Sequence, residues 1–238
     1  MTLQQMIDSS RRIVFFGGAG VSTESGIPDF RSTDGLYHQR YRWPPEQILS
    51  HTFFERMPEE FFRFYREKML PLDAKPNPAH LQLAALEQAG RLRAVITQNI
   101  DGLHTKAGSR TVYELHGSIW RNHCTRCGKF YPPEYIRDSQ GVPRCDCGGC
   151  IKPDVVLYEE GLDDDVVSAA VHAIRQSDLM IVAGTSLTVY PAAGLLSYFH
   201  GDHLVLINRD VTPFDSEADL VIREKVGEVL GALQVPKP

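Results

Sequence analysis

Residues 12–20 read RIVFFGGAG, a short apolar run that ends in glycines and one alanine. An uninterrupted apolar run of this length is typical of a strand that is buried on both faces of a parallel sheet. The glycines that follow allow the backbone to approach a ligand closely and to direct N–H groups at a phosphate. The stretch therefore predicts the first strand of an α/β sheet with a ligand-binding loop at its carboxyl end.

Similar apolar runs alternate with helical patterns along the rest of the chain. The predicted strands lie at 93–97, 179–183, 204–207 and 218–222, and the predicted helices at 78–89, 163–176 and 192–198. Alternating strands and helices predict an α/β fold with a Rossmann-like, doubly wound, mostly parallel sheet. Ligands bind such sheets beyond the carboxyl ends of the strands, so we expect the functional residues there.

Two segments interrupt this alternation. Residues 32–77 are rich in aromatic residues and prolines, and residues 118–156 contain all five cysteines. We expect the first segment to form a helical insert and the second to form a smaller metal-binding module, with the two packed against each other. Residues 1–31, 78–117 and 157–238 are then left to form the Rossmann-like domain.

Composition excludes some classes of function. The net charge is −5, from 25 basic and 30 acidic residues, and this balance gives no electrostatic reason to expect a nucleic-acid partner. No apolar stretch approaches the ~20 residues that span a bilayer, so we expect no membrane insertion. The amino terminus does not resemble a secretory signal, and we expect a cytoplasmic protein whose macromolecular partner is another protein.

The five cysteines have the spacing of a zinc ribbon. Cys124 and Cys127 form a CxxC pair, and the second pair comes from Cys145, Cys147 and Cys150. Cys147 with Cys150 has the usual ribbon spacing, whereas Cys145 with Cys147 is the other choice, and the spacing alone leaves both open. His123 is a less favoured ligand. Four thiolates would close the coordination sphere, which indicates a structural zinc ion without catalytic chemistry.

The glycine loop does not match the fingerprint of hydride-transfer enzymes. Gly18 and Gly20 are present, but Thr23 stands where the third glycine of GxGxxG is expected, and no acidic residue follows a second strand at the usual distance. This pattern argues against a dehydrogenase.

Three longer motifs resemble a known family. Residues 18–31 read GAGVSTESGIPDFR, residues 97–104 read TQNIDGLH, and residues 114–117 read ELHG. These match, in order, the signature motifs of the sirtuins, and further matches are KPDVV at 152–156, GTSL at 184–187 and Asn208 after a strand. The resemblance covers nearly the whole chain.

The resemblance implies an NAD-dependent protein-lysine deacetylase or deacylase that releases nicotinamide and O-acetyl-ADP-ribose. It implies that His116 is the base that deprotonates a ribose hydroxyl, a task that suits the near-neutral pKa of imidazole. By the same resemblance Asn99 orients a water or a ribose hydroxyl, and Asp101 binds the nicotinamide carboxamide. His104, which also lies in a family motif, is expected to be structural.

The resemblance also implies a pocket for NAD as co-substrate. Gln98 is expected to contact the ribose, Phe30 to shield the reacting ribose carbon from water, and Arg31 to lie near the phosphates. The implied NAD-binding residues are Gly18, Ala19, Gly20, Thr23, Phe30, Arg31, Gln98, Asn99, Ile100, Asp101, Gly184, Thr185, Ser186, Asn208, Arg209 and Val226.

Alignment with the family's usual cysteine-glycine knuckle favours Cys124, Cys127, Cys145 and Cys147 as the zinc ligands. The implied partner is an acyl-lysine protein or peptide, whose extended strand pairs near residues 155–158 and whose acyl chain contacts Ile100, Val156 and Tyr158. Sirtuins that prefer acidic acyl groups carry an arginine three residues after a tyrosine, and residues 61–68 contain no such pair. We therefore expect acetyl and other uncharged acyl groups.

Two alternative functions use the same residues. A mono-ADP-ribosyltransferase would let a protein nucleophile capture the activated ribose. A non-catalytic module would bind acyl-lysine or ADP-ribose as a sensor, although the joint presence of Asn99, Asp101 and His116 argues against it.

Overall fold

The computed structural model describes residues 1–29 and 42–236. The strands in those residues are β1 Ile13–Gly17, β2 Leu92–Thr97, β3 Val112–Glu114, β4 Gly117–Cys124, β5 Phe130–Tyr131, β6 Ile151–Val155, β7 Leu179–Ala183, β8 His203–Ile207 and β9 Leu220–Ile222. The α-helices are α1 Leu3–Ser9, α2 Pro45–Ile48, α3 His51–Arg56, α4 Pro58–Lys68, α5 Pro78–Gln88, α6 Leu103–Lys106, α7 Pro133–Asp138, α8 Asp164–Arg175 and α9 Val226–Gly231. Short 3-10 helices lie at Ala19–Val21, Thr23–Ser25 and Ala192–Tyr198.

Six strands form one parallel sheet in the order β3-β2-β1-β7-β8-β9. The chain winds outward from β1 through β2 to β3, and then returns to place β7 on the other side of β1. The strand order therefore reverses between β1 and β7, and ligands of doubly wound sheets bind at this reversal. The expected doubly wound, Rossmann-like architecture is confirmed.

Both faces of this sheet are covered, which explains why its central strands are apolar without alternation. All five residues of β1 and of β7 are buried. One face packs against α1, α5 and α9 through Ile7, Leu83 and Leu230, among others. The other face packs against α8 and the 3-10 helix at Ala192–Tyr198. Hydrophobic burial on two faces stabilises the sheet and leaves its strand ends for ligands.

The two inserted segments pack together around a separate core. Helices α2 to α4 contribute mostly aromatic side chains, and the three-stranded antiparallel sheet β5-β4-β6 contributes aliphatic ones such as Ile119 and Ile151. Phe61 stacks on Tyr65 with ring centroids 5.6 Å apart, and Phe54 meets Phe61 edge to face. The boundaries at 32, 77, 118 and 156 stay predictions.

The local structure differs from the sequence expectations at several places. Helices α1, α6 and α9 were not predicted, and β9 begins at Leu220 and not at residue 218. Strand β3 was not predicted, because three residues are too short for a recognisable pattern. Asp163 lies at the N-cap of α8, where its carboxylate accepts the N–H groups of Asp165 and Val166, so the helix starts one residue later. The segment at 192–198 forms a 3-10 helix. No helix of the described residues is long and apolar enough to cross a membrane.

Candidate active site

The carboxyl ends of β1, β2 and β7 lie next to one another at one edge of the parallel sheet, where doubly wound folds form a ligand crevice. The loop after β1 is tied to the loop after β7, because Gly18 N–H donates to the Ala183 carbonyl at 3.1 Å and Gly20 N–H donates to the Gly184 carbonyl at 2.8 Å. On the other side, Gln98 N–H donates to the Gly17 carbonyl at 2.9 Å. The segments that carry the sirtuin-like motifs therefore converge at the point where the strand order reverses.

Glycine is required where the two loops touch. A Cβ on Gly20 would lie 2.7 Å from the Gly184 Cα, and a Cβ on Gly184 would lie 2.4 Å from the Val21 nitrogen. Gly184 also has a φ of +60°, which disfavours a side chain. This close approach brings the loop after β1 against the loop after β7 and leaves no space for side chains between them.

A closed set of hydrogen bonds joins this loop to the segment after β2. Ser22 Oγ donates to Asp101 Oδ2 at 2.7 Å, and Asn99 Nδ2 donates to Ser22 Oγ at 3.0 Å. The other carboxylate oxygen of Asp101 accepts Leu103 N–H at 2.9 Å. All three side chains of this set are buried. Asn99 and Asp101 were predicted as site residues and Ser22 was not, although the motif GAGxS contains that serine.

Burial raises the pKa of Asp101, and the hydrogen bonds from Leu103 and Ser22 act in the opposite direction. The carboxylate is thus held by two donors inside the protein and faces a poorly solvated site. A charged group in such a place keeps a fixed orientation, because rotation would leave a buried oxygen without its donor.

The ring of His116 has a defined tautomer. Its Nδ1 lies 2.9 Å from the Gln98 carbonyl oxygen, which can only accept, so Nδ1 carries the proton. Burial lowers the pKa of His116, and the hydrogen bond to Gln98 partly offsets this effect. The imidazole is therefore neutral at neutral pH, with the lone pair of Nε2 available to take a proton.

Polar side chains extend the crevice towards β7 and β8. Gln98 Nε2 donates to Thr185 Oγ1 at 3.0 Å, and Thr23 Oγ1 donates to the Gly20 carbonyl at 3.0 Å. Ser186 Oγ lies 2.8 Å from Thr188 Oγ1. Asn208 follows β8 and donates to the Asp210 carbonyl at 2.9 Å.

The remaining predicted NAD-binding residues lie in different surroundings. Arg209 is exposed after β8, whereas Val226 is buried in the core at the first residue of α9. Ala19 and Ile100 are half-buried, and Ile100 packs against the core of the inserted segments. Phe30 and Arg31 lie outside the described residues.

Four thiols lie together at the far end of β4. The Sγ atoms of Cys124, Cys127, Cys145 and Cys147 are all within 4.8 Å of one another. Three of these separations are 3.4 to 3.6 Å, close to the ~3.8 Å edge of a tetrahedron with Zn–S bonds of ~2.3 Å. The cluster thus has the donors and the size for a four-coordinate zinc ion.

Two residues near the cluster show why a glycine stands beside it and why the fifth cysteine lies outside it. A Cβ on Gly149 would lie 2.6 Å from Cys124 Sγ, so the turn needs glycine there. The backbone of Cys150 pairs with Arg144 and accepts Thr125 N–H, and its thiol does not belong to the group of four.

The segment after β6 lies beside the histidine. Val156 N–H donates to the His116 carbonyl at 3.0 Å. Tyr158 is exposed, and its backbone pairs with Leu49 and His51 on the helical insert. The segment thus connects the main chain of His116 to the helical insert.

The chain is similar to characterised proteins over nearly its whole length. The model of the Sir2 family matches residues 18–191. An NAD-dependent protein deacetylase of Clostridium perfringens is 58% identical over 233 residues, which are 96% of each chain. One from Clostridium acetobutylicum is 59% identical over 232 residues, covering 96% of this chain and 95% of the relative.

Solved structures of Sir2 proteins are also similar to this chain. A Sir2 protein with a p53 peptide and NAD+ has a TM-score of 0.86 at 43% identity, covering 97% of this chain and 96% of that one. A second Sir2 structure, with a deacetylated p53 peptide and 3'-O-acetyl ADP ribose, has a TM-score of 0.89 at 42% identity. It covers 95% of this chain and 94% of that one.

Proposed function

The chain belongs to the Sir2 family, and from this premise we infer that it is an NAD-dependent protein-lysine deacetylase. Relatives that bear this name match almost end to end. The observation that carries the inference is the placement of a neutral histidine with a free Nε2 beside the buried Ser22–Asn99–Asp101 set. The products are nicotinamide, O-acetyl-ADP-ribose and the free lysine.

NAD supplies an electrophilic ribose carbon, from which nicotinamide leaves when the acyl oxygen of the substrate lysine attacks. In this proposal His116 takes a proton from a ribose hydroxyl through Nε2, which turns that hydroxyl into a nucleophile. The Nδ1–H bond to Gln98 keeps the ring in the tautomer that has a basic Nε2. Because burial lowers the pKa of His116, the base is present in its active form at neutral pH.

The buried carboxylate and amide would bind the nicotinamide end of NAD. Asp101 is a hydrogen-bond acceptor suited to a carboxamide N–H, and Asn99 offers its carbonyl oxygen to a hydroxyl or a water. Ser22 joins the two side chains, so it fixes both groups at once. Preorganised groups of this kind need no rearrangement when charge develops in the reaction.

The other polar residues would hold the rest of NAD. We propose that the NAD-binding residues are those predicted from the sequence, with Ser22 added. The backbone N–H groups of the glycine loop suit a phosphate, and Gln98 and Thr185 suit a ribose. Val226 is buried and would contribute packing, whereas Arg209 is exposed and would contribute charge. Phe30 and Arg31 keep their predicted roles.

A zinc ion held by Cys124, Cys127, Cys145 and Cys147 would stabilise the inserted module. Four thiolates leave no coordination position for a substrate, so the ion would supply no chemistry to the reaction. The thiols are free, as expected of cysteines in a reducing compartment. We propose a cytoplasmic location, which fractionation of cells would test.

We propose that acetyl and other uncharged acyl groups are preferred. Helix α4 places Lys68, and no arginine, three residues after Tyr65. The Lys68 ammonium pairs with Glu67 at 2.9 Å, which partly neutralises it. Turnover of acetylated and succinylated versions of one peptide tests the proposal, and faster turnover of the succinylated peptide would contradict it.

The central experiment measures deacetylation of an acetyl-lysine peptide in the presence of NAD, with nicotinamide release as a second readout. We expect the His116→Ala variant to lose deacetylation, while His172→Ala, at an exposed position of α8, keeps it. Mass spectrometry of the products identifies O-acetyl-ADP-ribose. Equal deacetylation by His116→Ala and the unchanged protein would contradict the role of the base, and ADP-ribose attached to protein would indicate mono-ADP-ribosyl transfer.

A further inference from the structure

Strand β4 connects the proposed base to the proposed zinc site. It begins directly after His116 and ends at Cys124. Two consecutive residues of this strand donate hydrogen bonds to the loop that follows β2. Ile119 N–H donates to the Ile100 carbonyl at 3.0 Å, and Trp120 Nε1–H donates to the Asp101 carbonyl at 2.7 Å. The smaller module therefore holds the main chain of the loop that carries Asn99 and Asp101.

The indole of Trp120 fits one glycine of that loop. Gly102 has a φ of +70°, and a Cβ at this position would lie 2.6 Å from both Cδ1 and Nε1 of Trp120. The indole edge thus lies directly on the Gly102 backbone, and any side chain there would displace it. The pair brings the indole N–H within hydrogen-bond distance of the neighbouring carbonyl.

The carbonyl contact complements the contacts of the Asp101 side chain. The carboxylate accepts from Ser22 Oγ and Leu103 N–H, and the carbonyl accepts from Trp120. The main chain of Asp101 is thus anchored through its carbonyl, and its side chain through both carboxylate oxygens. The indole therefore restrains the position of the Asp101 main chain, from which the carboxylate extends.

We propose that Trp120 is a positioning residue that tightens nicotinamide binding by holding the main chain of Asp101. This inference rests on the proposed function, in which Asp101 binds the nicotinamide carboxamide. Removal of the indole N–H leaves a partly buried carbonyl without its donor and lets the main chain at Asp101 shift, together with the carboxylate that it carries. Loss of one such hydrogen bond weakens the dependent contact by roughly fivefold to tenfold.

Two substitutions separate the hydrogen bond from the bulk of the ring. Trp120→Phe retains an aromatic ring but has no N–H. Trp120→His retains a five-membered ring whose Nε2 stands where the indole Nε1 stands, so the donor is restored with less bulk. The matched control is Trp43→Phe, because Trp43 is the other of the two tryptophans and packs on Phe53 in the helical insert.

The readout is nicotinamide affinity, measured by calorimetry on zinc-loaded protein saturated with ADP-ribose. We expect Trp120→Phe to raise the Kd by about fivefold to tenfold, Trp120→His to stay within about twofold of the unchanged protein, and Trp43→Phe to have no effect. In turnover, nicotinamide inhibition should weaken in the same order while the KM for the peptide stays constant.

Three outcomes would overturn the proposal. The first is an unchanged nicotinamide Kd in Trp120→Phe, and the second is an equal loss in the Phe and His variants, which would assign the effect to bulk. The third applies if Trp120→Phe does not fold. It is a folded Trp120→His variant that binds nicotinamide more weakly than the unchanged protein does. An unchanged protein that binds ADP-ribose but does not deacetylate would contradict the proposed function instead.

Discussion

His80 provides a test of how burial controls the stability of the NAD-binding half. Its ring is fully buried, and Nδ1 accepts Asn77 N–H at 3.2 Å within the capping box of α5. The ring of His104 lies 4.7 Å away, centroid to centroid. Burial lowers the pKa of His80 from 6.5 to about 4. The folded protein therefore keeps this ring neutral at a pH where the unfolded chain binds a proton.

The size of the effect follows from the two pKa values. Between pH 6.5 and 4 the unfolded state binds more protons at this position, so the free energy of unfolding decreases as the pH falls through this window. The full loss below pH 4 is ~3.5 kcal/mol, from a difference of about 2.5 pKa units at ~1.4 kcal/mol each. At pH 5 the loss relative to pH 8 is ~2 kcal/mol.

His80→Gln removes this titration and retains the cap, because glutamine is a preferred residue at this position of a capping box. We expect the decrease in unfolding free energy between pH 8 and pH 5 to be smaller by ~2 kcal/mol in the variant than in the unchanged protein. Urea unfolding followed by circular dichroism, with excess zinc and constant ionic strength, measures the difference. The contributions of the other titrating groups, including the thiolates, to this pH dependence are common to both proteins and cancel in the comparison.

The matched control is His172→Gln, at an exposed position of α8, which should lose as much stability on acidification as the unchanged protein does. The reasoning about burial fails if His80→Gln and the unchanged protein lose equal stability between pH 8 and pH 5.

Three further predictions concern the site. Ser22→Ala removes the hydroxyl that joins Asn99 and Asp101, so we expect kcat to fall by at least about tenfold. The melting temperature should fall by a few degrees, because buried polar atoms of Asn99 and Asp101 lose a partner; steady-state kinetics and thermal unfolding beside Ser197→Ala as a control should show both effects. Because burial lowers the pKa of His116, kcat/KM should stay constant as the pH falls through 6.5 and decrease only at lower pH, where the base becomes protonated; a decrease centred above pH 6.5 would contradict the assignment. Cys145→Ser should lower the zinc content measured by mass spectrometry, whereas Cys150→Ser should retain one zinc per chain, and the opposite result would exchange the two residues as ligands.

Much of this architecture follows from local sequence. The apolar runs at 12–16, 179–183 and 204–207 predict buried parallel strands because burial on both faces requires apolar residues without alternation. The glycine loop and the polar motif after β2 could be assigned to strand ends because each directly follows such an apolar run. Strand β3 could not be predicted, since its position comes from pairing with β2 and three residues carry no periodicity of their own.

The sequence by itself determined the family, the succession of the central strands along the chain and the residue types that chemistry requires, because these depend on neighbours along the chain. Only the tertiary structure decided how Ser22 joins Asp101, that the Gln98 carbonyl selects the tautomer of His116, and that the thiol of Cys145 lies with the other three while Cys150 pairs with Arg144. Each of these facts depends on the distance between particular atoms. Some of these atoms belong to segments far apart along the chain, and others belong to one turn. Such distances are set by the packing of the sheet and the inserts, and no pattern in the sequence encodes them directly.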